Sequence, residues 1–209
     1  MIKNDIIILN LLFLFLLGCA TTQKSVSPQQ AQVTKWETKA QILNKKTGKS
    51  QNLNIDILSN HQTDMRIEVS AMMGYPVATV VVANNELKSA VHTQKKFFAG
   101  VANAQTMRAA TGVELEPKDL RLLTEDFDSG KEGWQCDKDA SGFNVKCEQP
   151  KRSISIEWLT RAPESKKIAL KAPLFDMTWV FVGSPTSVEP KPALFLLNAP
   201  SGYKTIQIK

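Results

Sequence analysis

An antiparallel sheet of about 10–11 short strands, curled around a small helical insertion, is the fold class the sequence predicts. Three observations lead there. Apolar residues recur at every second position in short runs, among them Leu53 to Ile57, Met65 to Ala71 and Ser153 to Thr160. Helix formers gather only in the middle of the chain. Strands this many and this short cannot lie flat in one sheet, so the sheet must curl.

The 209 residues, 43% hydrophobic and 22% charged, suit one globular domain and exclude a disordered tail, a collagen or a multi-domain enzyme. The 26 Lys and Arg against 20 Asp and Glu leave +6. That favours an anionic surface without the dense basic clusters of a nucleic-acid binder, so a membrane rather than a nucleic acid is the expected partner.

Residues 1–18 read as a lipoprotein signal peptide. Lys3 precedes an apolar run from Ile6 to Leu17 interrupted only by Asn10. The run is shorter than the about 20 residues a membrane-spanning helix needs, but it suits a signal-peptide core. It ends Leu16-Leu17-Gly18-Cys19, which resembles the bacterial lipobox, whose cysteine is lipidated and becomes the first residue. That likeness implies triacylation of Cys19, and Ala20 in place of Asp implies sorting to the outer membrane, lipid-anchored and facing the periplasm. Residues 19–33, rich in Gln, Ser and Thr, hold too little apolar surface to fold and read as a lipidated tether. Residues 34–209 form the single folded domain.

The elements follow in order. Trp36 to Asn44 and Gln51 to Ser59 flank the turn Lys45-Lys46-Thr47-Gly48-Lys49 as a hairpin. Met65, Ile67, Val69 and Ala71 keep the period of two, and Val77 to Ala83 and Glu86 to Thr93 continue the meander. Val80-Val81-Val82 is apolar on both faces, so that strand is expected to be covered on one side and to line something apolar on the other. Ala102 to Ala110 predicts a helix with Asn103 as N-cap and Gly112 as left-handed C-cap. Pro117 opens a second helix over Lys118 to Thr124, burying Leu120 and Leu123. Strands resume at Trp134–Asp137, Phe143–Glu148, Ser153–Thr160, Ser165–Lys171, Asp176–Val182, Ala193–Asn198 and Tyr203–Lys209.

The chain offers little for catalysis. His61 and His92 are its only histidines, neither in a ligand-spaced pair, and both read as solvated or structurally satisfied. No nucleophile elbow, zinc-protease helix or phosphate loop occurs. No catalytic residue, metal site or cofactor is expected, and the protein is not read as an enzyme. Cys136 and Cys147, on the two arms of a hairpin around Ala140 to Gly142, predict a disulfide in an exported chain and lack the spacing of a redox pair.

Met72, Met73, Gly74 and Tyr75 form a tight turn bent by Gly74 and Pro76. Either these side chains fold back onto the core or, on a protein tethered to a bilayer, they reach into lipid. Val69-Ser70-Ala71-Met72-Met73-Gly74, the run Glu86 to Gly100, the helix end Ala110-Thr111-Gly112-Val113 and the stretch Glu114 to Arg121 resemble the corresponding course of the LolB family. Those outer-membrane lipoproteins accept other lipoproteins from a periplasmic carrier, LolA, and insert them. The resemblance covers residues 36–209 in order of elements and 65–121 in local motif.

It implies a strongly curved, unclosed antiparallel half-barrel with short helices covering its concave side; the protein is expected to act as a monomer. It also implies a LolA-type carrier and lipoprotein acyl chains as partners, and a membrane-insertion loop whose usual leucine is replaced here by Met73. The Cys136–Cys147 pair and the 183–192 loop depart from the family pattern. Strand alternation nominates Ile55, Ile57, Ile67, Val69, Val80, Val82 and Trp158, with Leu120 and Leu123 on the covering helix, as the lining of an acyl-binding cavity. The competing expectation is a structural or assembly lipoprotein that pairs a sheet edge with a partner, or a lipid-binding relative with another cargo.

Overall fold

Thirteen strands among the described residues pair into one sheet that remains open between its two edges. The structure is a computed structural model and describes residues 32–60, 64–124, 133–162 and 164–209. The expected signal peptide, Cys19, His61 and nearly all of the expected tether lie outside the described residues. Residues 31–209 make one compact unit that contains every strand and both helices.

The strands are β1 (Val33–Asn44), β2 (Ser50–Ser59), β3 (Met65–Ala71), β4 (Pro76–Ala83), β5 (Glu86–Val91), β6 (Lys96–Val101), β7 (Gln135–Lys138), β8 (Asn144–Gln149), β9 (Ile154–Ala162), β10 (Ser165–Lys171), β11 (Phe175–Val182), β12 (Thr186–Val188) and β13 (Lys204–Gln207). Their order across the sheet is β13-β6-β5-β4-β3-β2-β1-β11-β10-β9-β8-β7, with β12 beside the start of β1. Two α-helices, α1 (Ala104–Thr111) and α2 (Leu120–Thr124), sit between β6 and β7. The expected fold class holds, with two corrections. The strands number thirteen, and β13 runs parallel to β6, so the sheet is mixed.

Register decides which residues face inward. Ala40 stands opposite Leu53 and Trp179, Ile57 opposite Ile67, and Ile67 opposite Val80. Trp158 and Trp179 both oppose Ile168. This row of in-phase side chains forms the main core together with Met107, Leu120, Leu122 and Leu123 from the helices. The segment before α2 shows the curl. Glu116 shares a pocket wall with Met65 and Val82 yet ion-pairs with Arg152 in the β8–β9 connection at 2.8 Å. Six pairings separate β4 from β9, about 29 Å on a flat sheet at ~4.8 Å per strand, so the sheet must wrap around this segment.

The caps predicted for α1 are present. The Asn103 side chain accepts from the Thr106 N–H at 2.9 Å, and Gly112 takes φ +82°. Pro117 opens a 3-10 turn, Pro117–Asp119, that runs into α2.

Five local readings are corrected. β5 stops at Val91, because His92–Gln94 forms a 3-10 turn closed by Lys95 in the left-handed region. The strand β6 escaped the alternation test because both its faces are covered: Phe97 lies outward under Leu197 and Tyr203, while Phe98 joins the main core. Ala193–Asn198 is no strand; Pro192–Phe195 is a 3-10 turn whose following chain crosses the outer face, where Arg66 donates to the carbonyls of Leu194 and Leu196. The 183–192 loop contains the short β12. Val33, assigned to the tether by sequence, opens β1 and is 2% exposed. At Gly100 a Cβ would stand 2.8 Å from the Ile208 carbonyl oxygen, so glycine lets the C-terminal segment lie against β6.

Cys136 and Cys147 stand opposite each other on β7 and β8 and are bonded, with Sγ–Sγ 2.05 Å. Cys147 is fully buried in the main core, so the bond ties an edge strand to it. Replacing Cys136 with Ala is expected to lower stability by about 3 kcal/mol in the chain-entropy account of a short loop. Chemical denaturation with and without reductant checks this, and the variant should lose its response to reductant.

Candidate functional site

The β3–β4 turn is built from its backbone outward. The Gly74 N–H donates to the Ala71 carbonyl at 2.8 Å, the Ala71 N–H donates to the Tyr75 carbonyl at 2.9 Å, and Gly74 holds φ +80°. A side chain at Gly74 would be strained there, and Pro76 begins β4. The turn therefore closes tightly and turns its large side chains away from the sheet. Met72 is 69% exposed, Met73 84% and Tyr75 68%. Three neighbouring apolar or amphipathic side chains in water form a tip that calls for an apolar partner.

The other sequence-nominated residues meet on the inner face. Ile55, Ile57, Val80, Val82, Leu120, Leu123 and Trp158 are buried members of the main core, and Ile67 and Val69 pack against it half-buried. Ile57 and Leu123 are essentially without solvent contact, so helix α2 fills the concavity above them. Open space lies at the far end of β3 and β4. A pocket of about 460 Å³ has Met65, Val82, Ala102 and Pro117 among its walls, and Ser59, Asp64, Asn84, Asn85, Glu116, Lys118 and Arg121 supply polar groups. Val82 is the one nominated residue on its wall.

Two features of the inner face escaped the sequence reading. Lys166 is 7% exposed, its ammonium lies 4.8 Å from the Phe181 ring centre and 5.7 Å from that of Trp36, and it donates to the Thr124 carbonyl at 3.1 Å. It thus caps the C-terminal end of α2 from the sheet. The signal was present, since Lys166 is in phase with Ile168 and Leu170. Trp179 donates to the Thr38 hydroxyl at 2.6 Å, and Thr38 donates to the Ile55 carbonyl at 2.7 Å, so the Trp179 and Thr38 polar groups inside this stretch of core both have partners. The pocket itself joins three strand connections to the chain before α2, and no single segment announces it.

His92 lies between Thr79, at 3.1 Å from Nε2, and the Tyr203 hydroxyl, at 2.9 Å from Nδ1, and holds the C-terminal segment to β4. It is a structural histidine. Among the described residues no three His, Cys, Asp or Glu side chains converge as a metal site would require.

No protein-family model matches this sequence, and no curated protein matches it. Among solved structures, the chain is similar to a LolA superfamily protein from Nitrosomonas europaea. That likeness has a TM-score of 0.44 and 8% identity and covers 80% of this chain and 91% of that one. An uncharacterized conserved protein from Thermus thermophilus is similar at a TM-score of 0.35 and 8% identity, over 83% of this chain and 91% of that one.

Proposed function

We propose that this protein is an outer-membrane lipoprotein, anchored through Cys19, that takes up the acyl chains of lipids or lipoproteins and passes them to the bilayer through the Met72–Tyr75 tip. The exposed, rigidly turned tip carries this reading. Neither apolar cluster among the described residues includes these side chains, and the methionine thioether chain adapts well to irregular apolar surroundings. The pocket between Val82 and the chain before α2 supports the uptake half, because its volume lies within the range of small-ligand sites. Burial of an acyl chain against Met65, Val82, Ala102 and Pro117 is non-directional, so these walls serve varied cargo. Transfer needs no chemical step if affinity rises from donor to pocket to bilayer. In this reading the protein is a carrier rather than an enzyme, a monomer, and served by a LolA-type donor.

One observation favours the structural alternative: the inner face beneath α2 is packed closed at Ile57 and Leu123. An acyl-fluorophore titration of residues 31–209, competed with a lipopeptide, separates the two. Saturable binding is expected, and Val82→Trp, which fills the pocket wall, should weaken it about tenfold. Absence of saturable binding from the folded wild-type domain would leave only the structural reading.

A further inference from the structure

Charge is distributed unevenly between the two ends of this sheet. At the end bearing the Met72–Tyr75 tip, the connections 45–49, 72–75, 92–95 and 172–174 carry Lys45, Lys46, Lys49 and Lys95, with no Asp or Glu. The opposite end is mixed: Asp64, Asp139 and Glu164 lie in its connections, and Glu116, Lys118 and Arg121 line the pocket there.

Pairing sharpens the contrast. Along the outward face of the strands, basic side chains sit beside carboxylates: Lys35 with Glu37 and Asp56, Arg66 with Glu68, Lys88 with Glu86, Lys146 with Glu148. The hydrogen bond from Lys35 to Glu37 raises the Lys35 ammonium above its ordinary range against the opposing effect of partial burial. At the tip end, Lys45 pairs with Asp176. Among the described residues, Lys46, Lys49, Lys95 and Lys96 have no carboxylate partner.

These four lysines stand in a definite place. β2 pairs with β3 and β4 pairs with β5, so the hairpin tips on either side of Met72–Tyr75 are Lys45–Lys49 and His92–Lys95, with Lys96 beginning β6. Across the sheet, neighbouring tips are two strand spacings, about 10 Å, apart, which is also about the screening length in ordinary salt, and the Leu53–Ala71 register carries the 45–49 tip further out along the strands than Ala71. An apolar centre flanked by unpaired ammonium groups on flexible apolar stems matches the layering of a bilayer surface, where hydrocarbon lies below a plane of phosphates. Tyr75, apolar in body with a polar hydroxyl, suits the boundary between those layers.

We propose that Lys46 and Lys49 on one side of the tip and Lys95 and Lys96 on the other form a cationic collar that binds the phosphates of anionic phospholipids and docks the methionine tip on a charged bilayer. The inference rests on reading the tip as a membrane contact, and it adds the lipid headgroup class that the contact selects.

Flotation of residues 31–209 with phosphatidylcholine vesicles, with and without phosphatidylglycerol, tests it. The wild-type domain should bind the anionic vesicles at least about tenfold more tightly, and added salt should abolish the difference. The triple change Lys46→Glu, Lys49→Glu and Lys95→Glu should remove the preference with an unchanged melting temperature. Lys39→Glu with Lys167→Glu, at exposed mid-strand positions, should leave it intact. If the reversed set fails to fold, Lys46→Gln, Lys49→Gln and Lys95→Gln gives the same comparison. A wild-type domain without preference for anionic vesicles, or a folded collar variant that keeps the preference, overturns the collar. The arm with Met73→Glu separates the two readings: loss of binding to neutral vesicles with the anionic preference retained keeps both, whereas binding undiminished by Met73→Glu but lost in the lysine variants removes the tip reading and leaves the collar.

Discussion

Changing Cys19 to Ala should abolish the lipid anchor of this protein altogether. In the lipobox reading the anchor is carried by a single thiol, and no other side chain can take the thioether-linked lipid. Each buried methylene contributes about 0.8 kcal/mol, and one acyl chain alone holds a protein only marginally, so firm anchoring needs several chains. Loss of the thiol removes all of them at once. The variant should accumulate as an uncleaved precursor or as a soluble exported form, and labelled palmitate should no longer enter it. Among the described residues no helix is long and apolar enough to cross a membrane, so nothing in that part of the chain offers a helical substitute for the anchor. A wild-type protein that takes up no label would remove the lipobox reading.

The parts of the fold that were legible are those where one face of a strand is wet. β1, β2 and β3 alternate because their outward residues Lys39, Asn54 and Glu68 meet water while Ala40, Ile55 and Val69 turn inward. The caps of α1 were readable because Asn103 and Gly112 act through their own local geometry. Legibility failed where burial came from afar. Phe97 and Phe98 in β6 show no period because residues 197–203 cover the outward side, and the parallel pairing with β13 joins segments about half the chain apart.

The site divides the same way. The tip could be read from Gly74 and Pro76, which force the turn whatever surrounds it. Which of its neighbours carry charge required the strand order, and the pocket required the curl that brings 116–121 to Ser59 and Val82. The apolar residues nominated as a lining do converge, but alternation distinguishes only inside from outside. It cannot distinguish a wall from a filled core, and α2 supplies the difference.

The substitution Met73→Glu should separate folding, binding and delivery. Met73 is 84% exposed and is absent from both apolar clusters, so removing it opens no cavity. The turn is held by Gly74, Ala71 and Tyr75 through backbone hydrogen bonds that the new side chain does not touch. Stability should therefore change by no more than about 0.5 kcal/mol, the range of ordinary surface substitutions. The pocket lies beyond Met65, at the other end of β3 from Ala71, about 20 Å along the strand. Acyl-probe affinity should accordingly stay as it is.

Delivery is another matter, because the side chain must leave water for lipid. A charged group at the bilayer centre costs about 3 kcal/mol on insertion scales and less near the interface. Transfer of bound lipoprotein into liposomes should then fall by roughly ten- to a hundredfold. Met73→Leu, which keeps the volume and apolarity, should preserve it. A Met73→Glu protein that unfolds would place Met73 in the core, and one that delivers normally would show that the tip is not where cargo enters the membrane.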